Sequence, residues 1–308
     1  MPEPNSPAVN PILSNIAIQY RNPGFIADQV LPPVNGGVTN KTGRYQVYNK
    51  SDRFNIYDTR LAPKGQAKEI EWAVGEATYA CIGHALADFV SEDEVNNAAS
   101  PVTPQADTVE TLLDLHLAAR EKRINDLLVA NSPGASAAAK WDVAGGGTDV
   151  ITDVLNASKL CFAPPNTVVM SYDVFMALKK NTGILDRVKY TQMGVVTTDM
   201  LAALFEVDKV LVGRSKYNTA KRGQTPSYSQ IWTDNVYVCY INPRPSAKSL
   251  TLGLTFWERI FSQGLWRVRT WREEKRGLGG GDMIQVETSV DEKLVATDVC
   301  YAIKDVLA

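Results

Sequence analysis

The sequence has few of the residues that build catalytic and metal centres. It contains two histidines, His84 and His116, in separate segments, and four cysteines with no CxxC pair and no short Cys/His spacing. These spacings exclude the usual structural zinc patterns and favour reduced, buried thiols in a cytosolic setting. No GxSxG, GxxxxGK[ST] or HExxH motif occurs, and no GxGxxG follows a predicted strand. We therefore expect no conventional enzyme, no metal site and no cofactor. A catalytic triad assembled from residues far apart in sequence would carry no such motif.

A strong net charge and long apolar runs are also absent. Among 308 residues, 32 Lys and Arg oppose 34 Asp and Glu, which gives a formal net charge of −2. No overall field therefore attracts the chain to nucleic acid or membrane, and any nucleic-acid contact must be local. No apolar run approaches the roughly 20 residues of a membrane span, and residues 1–11 lack the basic and apolar regions of a secretory signal. We expect no membrane partner.

The sequence does contain one unusually long segment, 104–131, without an internal glycine or proline. Thr103 can cap a helix there, Pro104 suits its first position, and Pro133 cannot continue it. At about 1.5 Å per residue, the predicted rod is roughly 40 Å long. Its apolar stripe comprises Val109, Leu112, Leu113, Leu117, Ile124, Leu127 and Leu128. One interpretation is an amphipathic helix that packs on the core of its own chain. The other is a backbone rod whose charged flanks contact neighbouring subunits. The two interpretations are compatible.

Charged and polar residues border this stripe and interrupt it. The acids Asp107, Glu110, Asp114 and Glu121 lie along one flank, and the bases Lys122 and Arg123 lie towards the other. His116 falls within the stripe, where a hydrogen-bonded core or interface histidine is expected rather than a ligand. Arg120 projects into the stripe and needs a carboxylate partner, either in its own chain or in a neighbouring subunit.

The rest of the chain divides by composition. Residues 1–40 carry seven prolines and scattered apolar residues, which indicates an extended arm docked on its own body or on a neighbour. Residues 41–92 alternate with a period of two and predict a long hairpin with a polar, basic tip; such a hairpin needs a partner because it is marginal alone. Strand–helix–strand alternation over 166–249 predicts a sheet covered by helices, and 250–308 returns to strands.

The richest basic patch is 259–276. Its interleaved tryptophans are Trp257, Trp266 and Trp271. This mixture resembles a platform for single-stranded nucleic acid. However, alternation along 266–269 separates the apolar residues from Arg267 and Arg269, as a half-buried strand would. We favour a structural or subunit-interface role over base stacking, with loose phosphate contact by the arginines as an alternative.

The order of arm, hairpin, long helix, α/β unit and returning strands resembles the major capsid proteins of tailed phages, the Hong Kong 97-like family. The likeness extends over nearly the whole chain. It rests on the order of these parts and on short stretches of similar sequence. The segments that carry it are 10–11, 24–28, 188–205, 210–213, 217–220 and 271–276. The resemblance implies an α+β, Hong Kong 97-like fold.

The resemblance also implies a division of the chain. Its parts would be an N-terminal arm (1–40), an extended hairpin called the E-loop (41–92), a peripheral P-domain (93–165) with a spine helix at 104–131, an axial A-domain (166–249) and the return strands of the P-domain (250–308). Some relatives cross-link through Lys and Asn side chains. Lys64 and Lys68 lie in the corresponding loop, but no acceptor is assigned.

The implied function is that of a major capsid protein. Hexamers and pentamers would close an icosahedral shell around double-stranded DNA of a tailed phage or prophage, contacted non-specifically. Other partners would be separate scaffolding and portal proteins, with decoration proteins as an option. The protein would reside in the virion capsid, and in the host cytoplasm during assembly. The predicted assembly interface comprises Arg53, Asp58, Arg60, Lys64, Glu110, Asp114, Arg120, Lys122, Arg123, Arg267, Arg269 and Arg272.

Two other functions stay open on the sequence. The nearer one is an encapsulin-like nanocompartment shell that holds a cargo enzyme instead of DNA. The remoter one is an α/β enzyme centred on 166–249, against which the missing motifs argue.

Overall fold

The computed structural model describes residues 7–20, 22–48, 55–61, 63, 65–70, 74–99, 102–142, 149–188, 196–221, 223–242, 250–259, 264–277 and 279–308. Its strands are β1 (Ala8–Val9), β2 (Thr42–Tyr48), β3 (Val74–Ala80), β4 (Ile82–Ser91), β5 (Gly134–Ser136), β6 (Thr167–Ser171), β7 (Lys209–Gly213), β8 (Lys216–Asn218), β9 (Tyr228–Gln230), β10 (Val236–Cys239), β11 (Gly253–Trp257), β12 (Arg267–Glu273), β13 (Gly281–Leu294) and β14 (Cys300–Lys304). Its α-helices are α1 (Pro11–Gln19), α2 (Ala27–Val30), α3 (Glu92–Asn97), α4 (Pro104–Asn131), α5 (Val150–Leu160), α6 (Tyr172–Leu178), α7 (Thr182–Val188) and α8 (Thr198–Leu204).

The first sheet is built around the long strand β13. Strand β4 pairs with it antiparallel along one edge, and β12 and β11 pair with successive parts of the other edge. The short strand β1 continues the sheet beyond β12. Alternation along β12 and β13 turns Val268, Ile284 and Val286 towards helix α4, where they are buried. The opposite face carries Arg267, Arg269 and Glu287.

The second sheet has the order β5–β14–β10–β6–β7. The pairs β5–β14 and β6–β7 are parallel, and the two central pairings are antiparallel. Continuous burial along β6 and β10 shows that both faces are covered. One face packs against α5, α6 and α8, and the other packs against the arm helix α2 and the C-terminal half of α4.

The long helix α4 has the predicted bounds and connects the two sheets. Its first half contributes Val109 and Leu113 to the core of the first sheet, whereas Ile124 and Leu128 lie in the core against the second. The Thr103 side chain makes no capping hydrogen bond, so the expected cap is not formed. Within the described ranges, no helix is long and apolar enough to cross a bilayer.

The arm and the hairpin differ in detail from the expectation. The arm contains two helices and is docked on its own body: Asn10 caps α1 by accepting the N–H groups of Ile12 and Leu13, and Leu13 and Ala17 are buried. The hairpin pairs β2 with β3 only. Strand β4, expected as its continuation, lies in the first sheet because it pairs with ten residues of β13.

The observed sheets also cut across the expected domain boundaries. Strand β5 and helix α5, which fall in 93–165, join the second sheet and its core. So does β14, expected among the return strands of 250–308. The second unit therefore takes segments from three parts of the chain. The reason is pairing between distant strands, which composition along the chain does not reveal.

Candidate assembly surfaces

A buried carboxylate lies where the arm, the long helix and the second sheet meet. Glu121 is 0% exposed and accepts the backbone N–H groups of Ile26 and Ala27 on Oε1, the latter at 2.6 Å. Its Oε2 accepts the indole N–H of Trp232. Burial raises the pKa of Glu121 to about 7, against the lowering effect of these donors. The expectation that Glu121 is a flank charge is wrong, because its side chain faces the interior.

Arg120 has its carboxylate partners within its own chain. Nη1 donates to Asp28, Nη2 donates to the Thr255 hydroxyl at 3.1 Å, and Nε lies 3.7 Å from Glu292. The Arg120 side chain is 1% exposed in a single copy. Its predicted place on an intersubunit surface is therefore corrected: it ties the arm to α4 and the first sheet. Together, Arg120 and Glu121 hold the four-residue helix α2 from two sides.

Other predicted interface residues of α4 also meet groups of the same chain. Arg123 pairs with Glu292 at 2.8 Å, and Lys122 pairs with Asp126 one helical turn away. Asp114 accepts hydrogen bonds from the Tyr20 hydroxyl at 2.9 Å and from the Asn22 amide at 3.0 Å. Glu110 is exposed. Asp114 therefore fixes the arm on the helix, while Glu110 is open to solvent.

Arg267 and Arg269 of β12 lie on the face of the first sheet opposite α4. Arg267 and Arg269 both bind Glu287, which is 3% exposed, and Arg269 does so at 2.8 Å. Arg272 pairs with Glu92 at 2.7 Å. Trp266 points to the other face, where it is buried beside His116 with 5.3 Å between ring centroids. These partners support the structural role over base stacking.

The hairpin tip carries apolar side chains that its own chain leaves uncovered. Ile56 is 100% exposed and Leu61 60%. Arg60 is exposed, and its side chain has no carboxylate partner in the part of the chain that the structure describes. Asp58 lies 3.9 Å from Lys68. Arg53 and Lys64, also predicted for the interface, lie outside the described residues.

The histidine and cysteine side chains, the groups best suited to chemistry, are buried or half-buried. The His116 ring donates from Nε2 to the Val286 carbonyl at 3.1 Å, and burial lowers its pKa. Burial raises the pKa of Cys81 to about 11 and that of Cys161 to about 12, which keeps both as unreactive thiols. Across the described ranges, no group of three or more His, Cys, Asp or Glu side chains is placed to hold a metal.

The two sheets, the long connecting helix, the docked arm and the projecting hairpin form the Hong Kong 97-like fold of phage capsid proteins, as expected. The structure of a phage-related protein from Bordetella bronchiseptica RB50 aligns with a TM-score of 0.75 and 23% identity over 98% of both chains. A putative capsid protein of an Escherichia coli CFT073 prophage aligns with a TM-score of 0.58 and 10% identity, over 98% of this chain and 100% of that one. These likenesses establish the fold.

The sequence relationship is more specific. The chain is 28% identical over 314 aligned residues to the major capsid protein of Pseudomonas phage JBD67, covering 97% of both. No family model matches the chain. The predicted resemblance is confirmed: the chain is a homologue of phage major capsid proteins.

The residues that the sequence did not single out are mostly the ion-pair and hydrogen-bond partners of the predicted residues. Asp28, Trp232, Glu287 and Glu292 drew no attention because they are distant in sequence from the groups they bind. For Glu121 a signal existed. It lies four residues after Leu117 and three before Ile124, so helical spacing puts it beside the apolar stripe.

Proposed function

We propose that this chain is the major capsid protein of a tailed phage or prophage. Its copies assemble as hexamers and pentamers into an icosahedral shell that encloses double-stranded DNA. The observation that carries the proposal is the similarity to a phage major capsid protein over 97% of both chains. The uncovered hairpin supports it, because its exposed apolar side chains call for burial against further copies.

The parts of the subunit take the roles that the resemblance implies. The first sheet with the first half of α4 is the P-domain, the second sheet with its helices is the A-domain, and the hairpin is the E-loop. The partners are further copies, a scaffolding protein, a portal and, as an option, decoration proteins. DNA is contacted non-specifically. The protein resides in the virion capsid, and in the host cytoplasm while shells form.

Particle formation tests the proposal. Purified protein, alone and with a scaffolding protein from the same genome, is examined by sedimentation and negative-stain microscopy. Closed shells are expected. Only small monomers under all these conditions would count against it. Particles that contain packaged protein and no nucleic acid would instead indicate a nanocompartment, and a tight, saturable small-molecule ligand in 166–249 would indicate an enzyme.

Deleting residues 53–66 tests the role of the hairpin. Because β2 and β3 pair with each other outside both sheets, the shortened chain should fold with its two cores intact. It should not form closed shells. Circular dichroism and thermal unfolding check the fold, and sedimentation checks assembly. Normal assembly of this variant would refute the E-loop assignment.

A further inference from the structure

Strand β4 has one edge on β13 and leaves its other edge without a strand partner among the described residues. Residues 85–88 are all exposed, so neither face of this stretch is fully covered. The strand is ten residues long and contains no proline, lysine or arginine, and Asp88 is its one acid. Proteins usually protect an edge strand with charges, proline or a bulge, because its free N–H and C=O groups can pair with another chain. This edge lacks most of that protection.

The hydrogen bonds around β4 show which of its backbone groups point away from β13. The Glu92 N–H donates to the Gly280 carbonyl at 3.1 Å and continues the ladder between the two strands. Because an antiparallel ladder alternates, the even-numbered residues of β4 bond to β13, and the odd-numbered residues point their N–H and C=O groups outward. The Phe89 N–H agrees with this pattern, since it donates to the Asp88 carboxylate at 2.8 Å. The outward groups along the middle of the strand belong to Gly83, Ala85 and Ala87.

The side chains of β4 are complementary to those of a second β4 that runs antiparallel to it. With a two-fold axis at Leu86, the exposed Asp88 carboxylate lies opposite the half-buried His84 imidazole of the second copy, an acceptor opposite a group that can donate. In the same register, Phe89 lies opposite Gly83 of the second copy. A Cβ added at Gly83 would have no described atom within 4 Å, so the space beside this glycine is open to an aromatic ring. The axis repeats both matches.

We propose that β4 of one copy pairs antiparallel with β4 of a second copy about a two-fold axis at Leu86, so that the two first sheets become one. The inference rests on the proposed self-assembly and names a surface that it uses. Ala85 exchanges backbone hydrogen bonds with Ala87 of the second copy, and Leu86, 38% exposed in a single copy, packs against its counterpart. A two-fold contact pairs two copies and does not continue around a ring. It therefore joins one hexamer or pentamer to the next.

A cysteine on the axis gives the most direct test. Leu86 bonds to β13, so it forms a non-hydrogen-bonded pair with its counterpart, in which the Cα atoms are about 4.5 Å apart. Disulfides join Cα atoms about 4.4–6.8 Å apart. Leu86→Cys should therefore give covalent dimers, and no larger covalent species, when particles are treated with a small disulfide oxidant. Wild type measures the background from the four native cysteines.

Ile82→Cys is the matched control for the cross-link. Ile82 is 62% exposed and lies on the same face of β4 as Leu86. In the proposed register it is four residues from the axis, which places it roughly 26 Å from its counterpart. This variant should give no more dimer than wild type. Dimers from Ile82→Cys without dimers from Leu86→Cys would overturn the register.

A pair of charge substitutions tests the register without a cross-link. Ala85→Lys with Ala87→Lys puts like charges opposite each other across the axis, whereas Ala85→Lys with Ala87→Glu puts opposite charges there. Both variants change the same two exposed positions of a single copy. We expect the first to lower the particle yield by about tenfold and the second to stay near wild type. Thermal unfolding of unassembled subunits separates misfolding from loss of the contact.

The results distinguish this contact from the proposed function. Wild-type particles, no dimers from Leu86→Cys and equal yields from the two charge variants would overturn the pairing and uphold the shell. If wild type forms no particles, the proposed function fails by itself. Oxidation of concentrated Leu86→Cys subunits then still decides the contact: dimers support it, and their absence overturns it.

Discussion

Replacing Glu121 by glutamine tests the buried carboxylate that joins the arm to the rest of the fold. Burial raises the pKa of Glu121 from 4.5 to about 7. Between these values the folded chain binds more protons than the unfolded chain, so stability is greatest below the unfolded pKa and falls as pH rises through the folded one. At about 1.4 kcal/mol per pKa unit, the loss is about 3 kcal/mol. Glutamine does not titrate, so Glu121→Gln lacks this loss.

Glutamine also changes the hydrogen bonds, and this cost does not depend on pH. Its oxygen can still accept the N–H groups of Ile26 and Ala27, but its amide nitrogen faces the indole N–H of Trp232, donor against donor. An unsatisfied buried donor costs about 1–3 kcal/mol. We therefore expect the variant to be less stable than wild type at about pH 4.5, and equally or more stable above about pH 7.

The assay is urea unfolding of unassembled subunits, followed by tryptophan fluorescence across this pH range. The difference in the free energy of unfolding between variant and wild type removes the contribution of His84 and His116, which titrate in both. Glu110→Gln is the matched control, because Glu110 is exposed and the change should leave the pH profile unaltered. Parallel profiles for Glu121→Gln and wild type, or a difference that grows in favour of wild type with rising pH, would refute the reasoning: the three donors would then outweigh burial.

Three further substitutions probe the charges of α4. Arg120→Met leaves Asp28, which is 45% exposed, without its guanidinium and Glu292 with Arg123 alone, so we expect a loss of about 1–3 kcal/mol in urea unfolding; a loss as small as that of a surface substitution would show that Arg120 contributes little. Asp114→Lys removes the acceptor of Tyr20 and Asn22 and should cost about 1–3 kcal/mol, whereas Glu110→Lys should stay within about 0.5 kcal/mol. If Glu110→Lys nevertheless lowers particle yield, Glu110 lies at an interface; equal stability losses at both positions would contradict the distinction between them.

The local elements could be predicted from sequence where one segment contains all of its own signals. Helix α4 is the clearest case, because its start, stop and apolar stripe lie within 103–133 and its bounds were confirmed. Strand β6 and helix α6 also have local signals: β6 is a short run rich in β-branched residues, and α6 begins after Ser171, whose hydroxyl accepts the N–H of Val174. Each depends on contacts a few residues apart.

The pairing of distant segments could not be predicted in this way. Strand β13 has three partners from widely separated parts of the chain, and β14 and β5 join a sheet whose other strands lie far away in sequence. An arm rich in proline gave no sign of helix α1, whose Pro11 is placed at the first helical turn, where proline is tolerated. Side-chain partners such as Asp28 for Arg120 follow from those pairings.

The predicted interface charges separate into two kinds once their partners are known. In the folded body, Arg120, Arg123 and Arg269 already bind carboxylates that are largely buried, so recruiting them for a neighbour would leave Glu292 or Glu287 uncompensated. Arg60 on the hairpin tip has no carboxylate partner among the described residues. A new pair at Arg60 would gain Coulomb energy without breaking an old pair. An assembly built from marginally stable subunits should therefore use the second kind for contact between copies and keep the first for holding each copy together.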